Sequence, residues 1–220
     1  MAKLEFEMYY HIYNRGNNAA TVFRCETGFK HFLMLYKKYI PLIANTFAWV
    51  LMSNHFHFLV KIKEENEIGF LAPFSASTYS KKWREILPAD VSRLGYSQDK
   101  LKKLNPSRQF SHLFNAYSKW FNNKYKRSGS LFEKNFNRKE VEDEQYLKHL
   151  VYYIHHNPIH HGISNNYTDY PWTSYNDFLE NETAFVDFTS VINWFDDLDN
   201  FVFFHQEENE LSVIQDYLYE

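Results

Sequence analysis

Residues 45–62 read NTFAWVLMSNHFHFLVKI. Two apolar runs flank a short Ser-Asn break, a pattern that predicts two strands joined in a hairpin. Residues two apart on a strand point to the same face, so His55 and His57 project together while Phe56 points the other way. Two adjacent imidazoles can form half of a divalent-metal site. A bare His-x-His is more often a pair of ordinary strand histidines, so the prediction depends on the rest of the chain.

The segments before the hairpin predict a strand and a helix. Met8–Asn14 is typical of a first strand, followed by a loop that contains Gly16. From Glu26 to about Ile43, apolar residues recur at helical spacing, with Thr27 as a candidate N-cap. A strand, a helix and two more strands indicate an α+β domain with a central antiparallel sheet flanked by helices.

After the hairpin, residues 64–108 contain three prolines and eight basic residues, and we predict a basic insertion or lid there. Short helices are expected around Thr78–Leu87 and Asp99–Leu104. Phe110–Lys126 has a single apolar stripe and predicts a firm helix. Leu131–Val141 is typical of a strand or extended arm. Glu142–Asn157 predicts a further helix that ends before Pro158, because the residue before proline disfavours the α conformation.

Composition predicts a soluble protein of a reducing compartment such as the cytoplasm. The 220 residues suit one domain, or one domain with an appendage, and 45% of them are hydrophobic. Cys25 is the single cysteine, which excludes an intrachain disulfide and a Cys-rich zinc site. No apolar run reaches the roughly 18 residues that a membrane span needs, and the start of the chain has no apolar signal region.

The charges are unevenly distributed along the chain. Residues 177–220 carry 12 Asp and Glu and no Lys or Arg, which predicts an acidic, helical C-terminal extension. Residues 1–176 carry 24 basic against 15 acidic residues, a net charge of +9. A basic body of this kind suits a polyanionic partner, although charge blocks are more often solvated faces.

The predicted helix Glu142–Asn157 adds two candidate site residues. Tyr153 and Asn157 are one turn apart and therefore share a face, together with His149. Two imidazoles and an amide oxygen can hold Mg²⁺ or Mn²⁺, and a tyrosine oxygen can attack a phosphorus atom. Spacing alone favours a core role for Tyr153, one of 17 tyrosines, and does not distinguish it from Tyr152.

A basic stretch interleaved with aromatic residues, Lys119–Lys139, suits a nucleic-acid backbone with splayed bases. A solvated helix end and a charged strand edge explain it equally well. The candidate DNA-binding residues are Arg15, Lys119, Lys124, Lys126, Arg127, Lys134, Arg138 and Lys139.

Five stretches of the chain carry a family resemblance in the same order. They are YHIYNRG at 10–16, MSNHFHFLV at 52–60, SGSLFEKNF at 128–136, YIHHNPIHHG at 153–162 and YPWTSY at 170–175. Together they resemble the IS200-like tyrosine transposases, and especially their REP-associated branch, which are HUH (His-hydrophobic-His) single-strand DNA nucleases. Ser53 replaces the family's usual proline, and Glu133 stands where glutamine is frequent.

The resemblance implies a ferredoxin-like HUH nuclease fold over residues 1–176. It implies that His55, His57 and Asn157 bind Mg²⁺ or Mn²⁺ and that Tyr153 is the nucleophile. The implied activity is endonuclease cleavage and strand transfer of single-stranded DNA near hairpins through a 5′-phosphotyrosine, in a monomer or homodimer. Two alternatives remain open: a domesticated protein that binds DNA hairpins without cutting, and a hydrolytic metallonuclease that forms no covalent intermediate.

Overall fold

An antiparallel sheet of four strands organises the computed structural model, which describes residues 3–72, 86–91, 101–143, 146–180 and 185–207. The strands are β1 (Tyr9–Arg15), β2 (Ala44–Leu51), β3 (His55–Ile62), β4 (Phe70–Leu71), β5 (Ile86–Leu87), β6 (Lys102–Lys103) and β7 (Asn137–Val141). The α-helices are α1 (Glu26–Tyr39), α2 (Pro106–Lys124), α3 (Leu147–His160), α4 (Tyr175–Glu180), α5 (Phe188–Trp194) and α6 (Leu198–Gln206). Short 3-10 helices lie at Asn17–Ala19 and Glu65–Glu67.

The strand order of this sheet is β2-β3-β1-β7, and every neighbouring pair is antiparallel. Helix α1 connects β1 to β2, and α2 precedes β7. The order strand, helix, strand, strand, helix, strand is the ferredoxin-like arrangement. The predicted α+β fold class, with a central antiparallel sheet flanked by helices, is confirmed.

The predicted hairpin is confirmed as β2 and β3, and its alternation separates two faces of the sheet. On one face, the Phe56 ring lies 5.3 Å from the ring centres of Phe32 in α1 and Phe114 in α2. On the other face lie His55 and His57, and this face is covered by α3, which contacts β2 and β3. The apolar stripes of α1 and α2 therefore build one layer of the core, and α3 covers the histidines.

Several helix ends differ from the predictions: α1 ends at Tyr39 rather than near Ile43, and α2 spans Pro106–Lys124 rather than Phe110–Lys126. The N-cap of α1 is Cys25, so Thr27 lies inside the helix. Helix α3 begins at Leu147 and continues through Pro158 to His160, so the prediction that it ends at Asn157 was wrong. A proline inside a helix removes one backbone donor. In the last turn this loss is small, because the His161 amide still donates to the carbonyl of Asn157 at 3.0 Å and closes the helix.

Buried hydrogen bonds fix α3 to β2 and α6 through His155. Nδ1 of His205 lies 2.8 Å from the carbonyl of Phe201 and must donate to it, so Nε2 of His205 accepts from Nδ1 of His155 at 2.9 Å. Nε2 of His155 then accepts from the hydroxyl of Ser174 at 2.8 Å, and Ser174 accepts from the backbone amide of Trp49. Both imidazoles are neutral in this arrangement, and burial lowers the pKa of His205 to about 4. The network sets the position of α3 over the sheet.

The segment predicted as an acidic extension packs against the same core. Phe178, Val191 and Phe201, from α4, α5 and α6, are fully buried in the cluster that contains the sheet residues. The prediction that this extension is helical is confirmed for its residues in α4, α5 and α6, and residues 181–184 and 208–220 lie outside the described chain.

The predicted insertion contains a small sheet of β5-β4-β6 with its own apolar cluster of Ala72, Leu87 and Val91. Ile86–Leu87 and Lys102–Lys103 are strands, so the two short helices expected there are wrong for these residues; residues 73–85 and 92–100 lie outside the described chain. Short strands satisfy backbone groups here by pairing, which local sequence did not reveal. Among the helices of the described residues, none combines the length and apolarity needed to cross a bilayer.

Candidate metal and nucleophile site

The sheet face under α3 brings the two histidines of β3 together. His55 and His57 have ring centres 5.2 Å apart, and both are buried, at 8% and 1% exposure. In the register of β1 and β3, Arg15 lies opposite His55 and Tyr13 lies opposite His57. These four side chains therefore share one face at the end of β1.

Asn54, in the hairpin turn, orients His55. Its Oδ1 lies 2.7 Å from Nδ1 of His55, and because an amide oxygen can only accept, Nδ1 carries the proton. In this tautomer Nε2 carries the lone pair that a metal ion would bind. Burial lowers the pKa of His55 to about 4, with a further contribution from His161, and a hydrogen bond with Asn157 acts in the opposite direction. His55 is therefore a neutral imidazole at neutral pH, which is the form that ligates metals.

His11 is the partner of His57, and the sequence reasoning did not single it out. Nε2 of His11 and Nδ1 of His57 lie 2.9 Å apart, so one ring donates to the other. Burial, and then the proximity of His11, holds the pKa of His57 well below its usual value. A signal was available: His11 lies two residues before Tyr13 on an alternating strand, on the same face as Tyr13. Only the pairing of β1 with β3 places that face beside His57.

Helix α3 contributes Tyr153 and Asn157 to the same place. The Tyr153 ring meets the His57 ring edge-on, with centres 5.5 Å apart, and also lies 6.0 Å from the His11 ring. Nδ2 of Asn157 donates to the carbonyl of Tyr153 at 2.7 Å, while the side chain of Asn157 also hydrogen-bonds His55. One N–H of the Asn157 amide is therefore held by the helix, and the oxygen of this amide is the atom that would bind a cation beside His55.

The neighbouring Tyr152 faces away from the histidines. Its ring stacks on His156 with centres 5.1 Å apart and meets Phe204 and His205 of α6. Successive helical residues are about 100° apart, so only one of the two tyrosines can face the sheet. His149, expected on the face of Tyr153, instead lies against Phe204, 5.4 Å between ring centres, and does not join the site.

His161 extends the stripe of Tyr153 and Asn157 by one more turn and was not predicted as a site residue. Its ring centre is 5.2 Å from that of His55, and its side chain is exposed. Tyr153 and His57 are both buried, whereas His161 and Arg15 are exposed. The exposed edge of the site is therefore the rim formed by Arg15 and His161.

The donor chemistry of this site fits a divalent cation. Within the part of the chain that the structure describes, no group of three or more His, Cys, Asp or Glu side chains can hold a metal ion. The predicted metal ligands are of mixed type: the neutral imidazoles of His55 and His57 and the amide oxygen of Asn157. Imidazole and amide ligands can bind such cations, and the hydrogen bond between Asn54 and His55 fixes the orientation of that imidazole.

We expect His11 to hold the ring of His57 in the orientation and tautomer that metal binding needs. A cation on Nε2 of His57 requires that Nδ1 of His57 carry the proton. Nε2 of His11 must then accept the hydrogen bond that Nδ1 donates. His11→Leu should weaken Mn²⁺ binding, measured by titration calorimetry, roughly 10- to 100-fold.

The matched variant is His11→Gln, whose amide oxygen can still accept, and its Mn²⁺ affinity should stay within a few-fold of the wild type. Thermal unfolding in EDTA separates this effect from a loss of folding. Equal Mn²⁺ affinity in wild type and His11→Leu would show that His11 does not orient the ligand.

The predicted DNA-binding cations fall into separate groups. Lys119, Lys134 and Arg138 line a groove of about 450 Å³ between α2 and residues 129–136. The Arg138 guanidinium also lies 4.2 Å from the Phe136 ring centre and donates to Ser107, so it has a packing role as well. Lys139 is paired with His11 across β1 and β7, so its side chain lies on the face of the sheet that carries the histidines and not in the groove.

The remaining cations lie near the end of α2 or at the rim. The Lys124 amine lies 4.8 Å from the Trp120 ring centre, and Arg127 donates to the Ser130 carbonyl. Lys126 is exposed in the turn after α2, and Arg15 forms an ion pair with Glu133. The structure therefore does not unite the eight cations into one surface.

Comparison with known proteins leaves the family open. No family model matches the chain, and no curated protein matches it. Among solved structures, the chain is similar to a REP-associated tyrosine transposase bound to a REP hairpin, with a TM-score of 0.49 and 14% identity. The similarity covers 82% of this chain and 83% of that chain. At this level it assigns neither a family nor an activity, and both depend on the geometry of the site and on experiment.

Proposed function

We propose that this protein is a metal-dependent endonuclease and strand transferase for single-stranded DNA near hairpins, which works through a 5′-phosphotyrosine. The observation that carries the proposal is the meeting of Tyr153 with His57, and of Asn157 with His55, on one face of the sheet. A nucleophile beside a cluster of metal-binding donors is the arrangement that covalent phosphoryl transfer requires.

In the proposed reaction, the phenolic oxygen of Tyr153 attacks the scissile phosphorus. The bond between phosphorus and the 3′ oxygen breaks, and that oxygen leaves with the electron pair and takes up a proton to give a free 3′-OH. The phenol loses its proton as the 5′-phosphotyrosine forms. Attack by a 3′-OH on this linkage reverses the step and joins strands.

His55, His57 and Asn157 would hold Mg²⁺ or Mn²⁺, with Asn54 and His11 orienting the two imidazoles. When bound, the cation supplies a Lewis acid that polarises the phosphate. Burial of Tyr153 and His57 restricts water around the reacting phosphate, which favours transfer to the tyrosine over hydrolysis. The exposed rim at Arg15 and His161 provides positive or hydrogen-bonding groups where the DNA strand would enter.

The decisive test is incubation of the full chain with Mn²⁺ and an end-labelled DNA hairpin that carries single-stranded flanks, followed by a denaturing gel. We expect a labelled band that migrates as a protein–DNA adduct and disappears with protease. Free fragments without an adduct would support the hydrolytic metallonuclease. Uncut DNA, together with hairpin binding in a native gel, would support a binding protein that does not cut.

A further inference from the structure

The groove between α2 and residues 129–136 has a lining that the proposed chemistry does not use. Ser111, Asn115, Ser118 and Asn122 line it from α2, spaced four, three and four residues apart. This spacing places them on one face of the helix, over a length of about 16 Å. The helix therefore carries a stripe of alternating hydroxyl and amide groups beside the apolar stripe that packs on the sheet.

The opposite wall and the floor differ in chemistry. Glu133, Lys134 and Asn135 form part of the far wall, while Phe132 and Phe136 belong to the buried core below it. Asn135 has a φ of 63°, a left-handed conformation that asparagine tolerates, and its side chain is exposed. The groove, which we call the amide groove, therefore combines amides on both walls with phenyl rings beneath.

One buried acceptor in the amide groove lacks a partner. Nδ2 of Asn122 donates to the carbonyl of Gly129 at 3.0 Å, but its Oδ1 is buried with no hydrogen-bond partner among the described residues. Buried polar atoms are nearly always satisfied by protein, water or ligand. The Asn122 amide is therefore held against the 129–136 segment, and its oxygen would reach a ligand in the groove only after the side chain turned.

The charges favour an anionic ligand. Lys119 and Lys134 belong to the groove lining, and the carboxylate of Glu133 is paired with Arg15. Amide side chains hydrogen-bond the edges of nucleobases, and phosphates between bases suit lysines. A nucleic-acid strand offers hydrogen-bonding partners for the amides and phosphates for the lysines together.

The position of the amide groove connects it with the candidate site. Asn14 lines the groove, and the next residue, Arg15, lies on the opposite face of β1, across from His55. Strand β1 thus separates the groove from the histidines at one end of the sheet. A single-stranded DNA that passes around this end of the sheet would reach both the groove and the histidines.

From these observations we propose that the amide groove binds unpaired nucleobases of the single-stranded DNA next to the site of cleavage. This inference rests on the proposed function for the identity of its ligand. It assigns base contacts to Asn115 and Asn135, whose side chains are exposed, and backbone contacts to Lys119 and Lys134.

The test compares two fluorescent single strands of equal charge, an eight-nucleotide oligodeoxyadenylate and an eight-unit abasic strand, by anisotropy in EDTA. The wild type should bind the base-containing strand roughly tenfold or more tightly. Asn115→Ala combined with Asn135→Gly should reduce this preference at least fivefold and leave abasic binding unchanged. Glycine retains the left-handed backbone at 135, and Asn123→Ala, an exposed asparagine of the same helix outside the groove, is the control.

Lys119→Ala combined with Lys134→Ala should weaken both probes and flatten the salt dependence by about 1.4 in log–log slope, about 0.7 for each lost phosphate contact. Equal binding of the two probes by the wild type, or a base preference unaffected by the asparagine changes, would overturn the groove assignment. The adduct assay with Mn²⁺ is independent of this readout. An adduct without base preference would contradict only the groove assignment. Base preference without an adduct would contradict only the proposed reaction at Tyr153.

Discussion

Tyr153→Phe should abolish the covalent protein–DNA adduct completely, while Tyr152→Phe should still form it. The expectation follows from the two faces of α3: the Tyr153 ring meets His57, whereas the Tyr152 ring stacks on His156 and faces α6. Phenylalanine preserves the packing of each ring and removes only the hydroxyl, so each variant should fold. The adduct is measured on a denaturing gel with labelled hairpin DNA and Mn²⁺.

Peptide mapping of the wild-type adduct by mass spectrometry provides the direct assignment. A phosphodeoxynucleotide on Tyr153 is the expected result. Modification of Tyr152 would contradict the orientation of α3, and with it Asn157 as a ligand. Tyr153→Phe should also keep its thermal midpoint, its Mn²⁺ affinity and its DNA binding in EDTA, so that loss of the adduct reports loss of the nucleophile alone.

Substitution of either histidine of β3 should abolish cleavage in Mg²⁺ or Mn²⁺ and leave DNA binding in EDTA little changed. Removal of one of three protein ligands should weaken cation binding severely, and the phosphate would lose its Lewis acid. His55 is buried at 8% exposure, so the thermal midpoint of His55→Ala in EDTA is compared with that of the wild type to establish that the variant folds. The rate of cleavage and the Mn²⁺ affinity are measured together.

His57 needs a second variant because its ring is buried against His11 and Tyr153. His57→Ala removes packing and leaves His11 without this hydrogen bond, a loss of about 1–3 kcal/mol of stability for a buried polar group. His57→Gln preserves polar volume and should retain the fold while still losing cleavage. Cleavage at the wild-type rate by a folded His55 or His57 variant would contradict the metal assignment.

Local sequence patterns were sufficient for the central elements of the fold. Alternation around the Ser53-Asn54 break predicted the hairpin, and with it the shared face of His55 and His57, because side-chain direction along a strand depends only on its period of two. Apolar spacing predicted α1 and α2 in the same way. Predictions of helix ends were less accurate: α3 continues through Pro158, which removes one donor near the end of the helix and does not stop the chain from closing the last turn.

By itself, the sequence determined which residues share a face within one strand or helix: His55 with His57, and Tyr153 with Asn157. Only the tertiary structure decided which face of α3 meets the sheet, that His11 is the partner of His57, and that Lys139 is separated from Lys119 and Lys134. These relations join residues far apart in the chain, and they depend on strand register and helix docking. Strand register and helix docking are set by the burial of whole faces and by long-range contacts such as the hydrogen bonds of His155. The periodicity of a single segment carries no information about either.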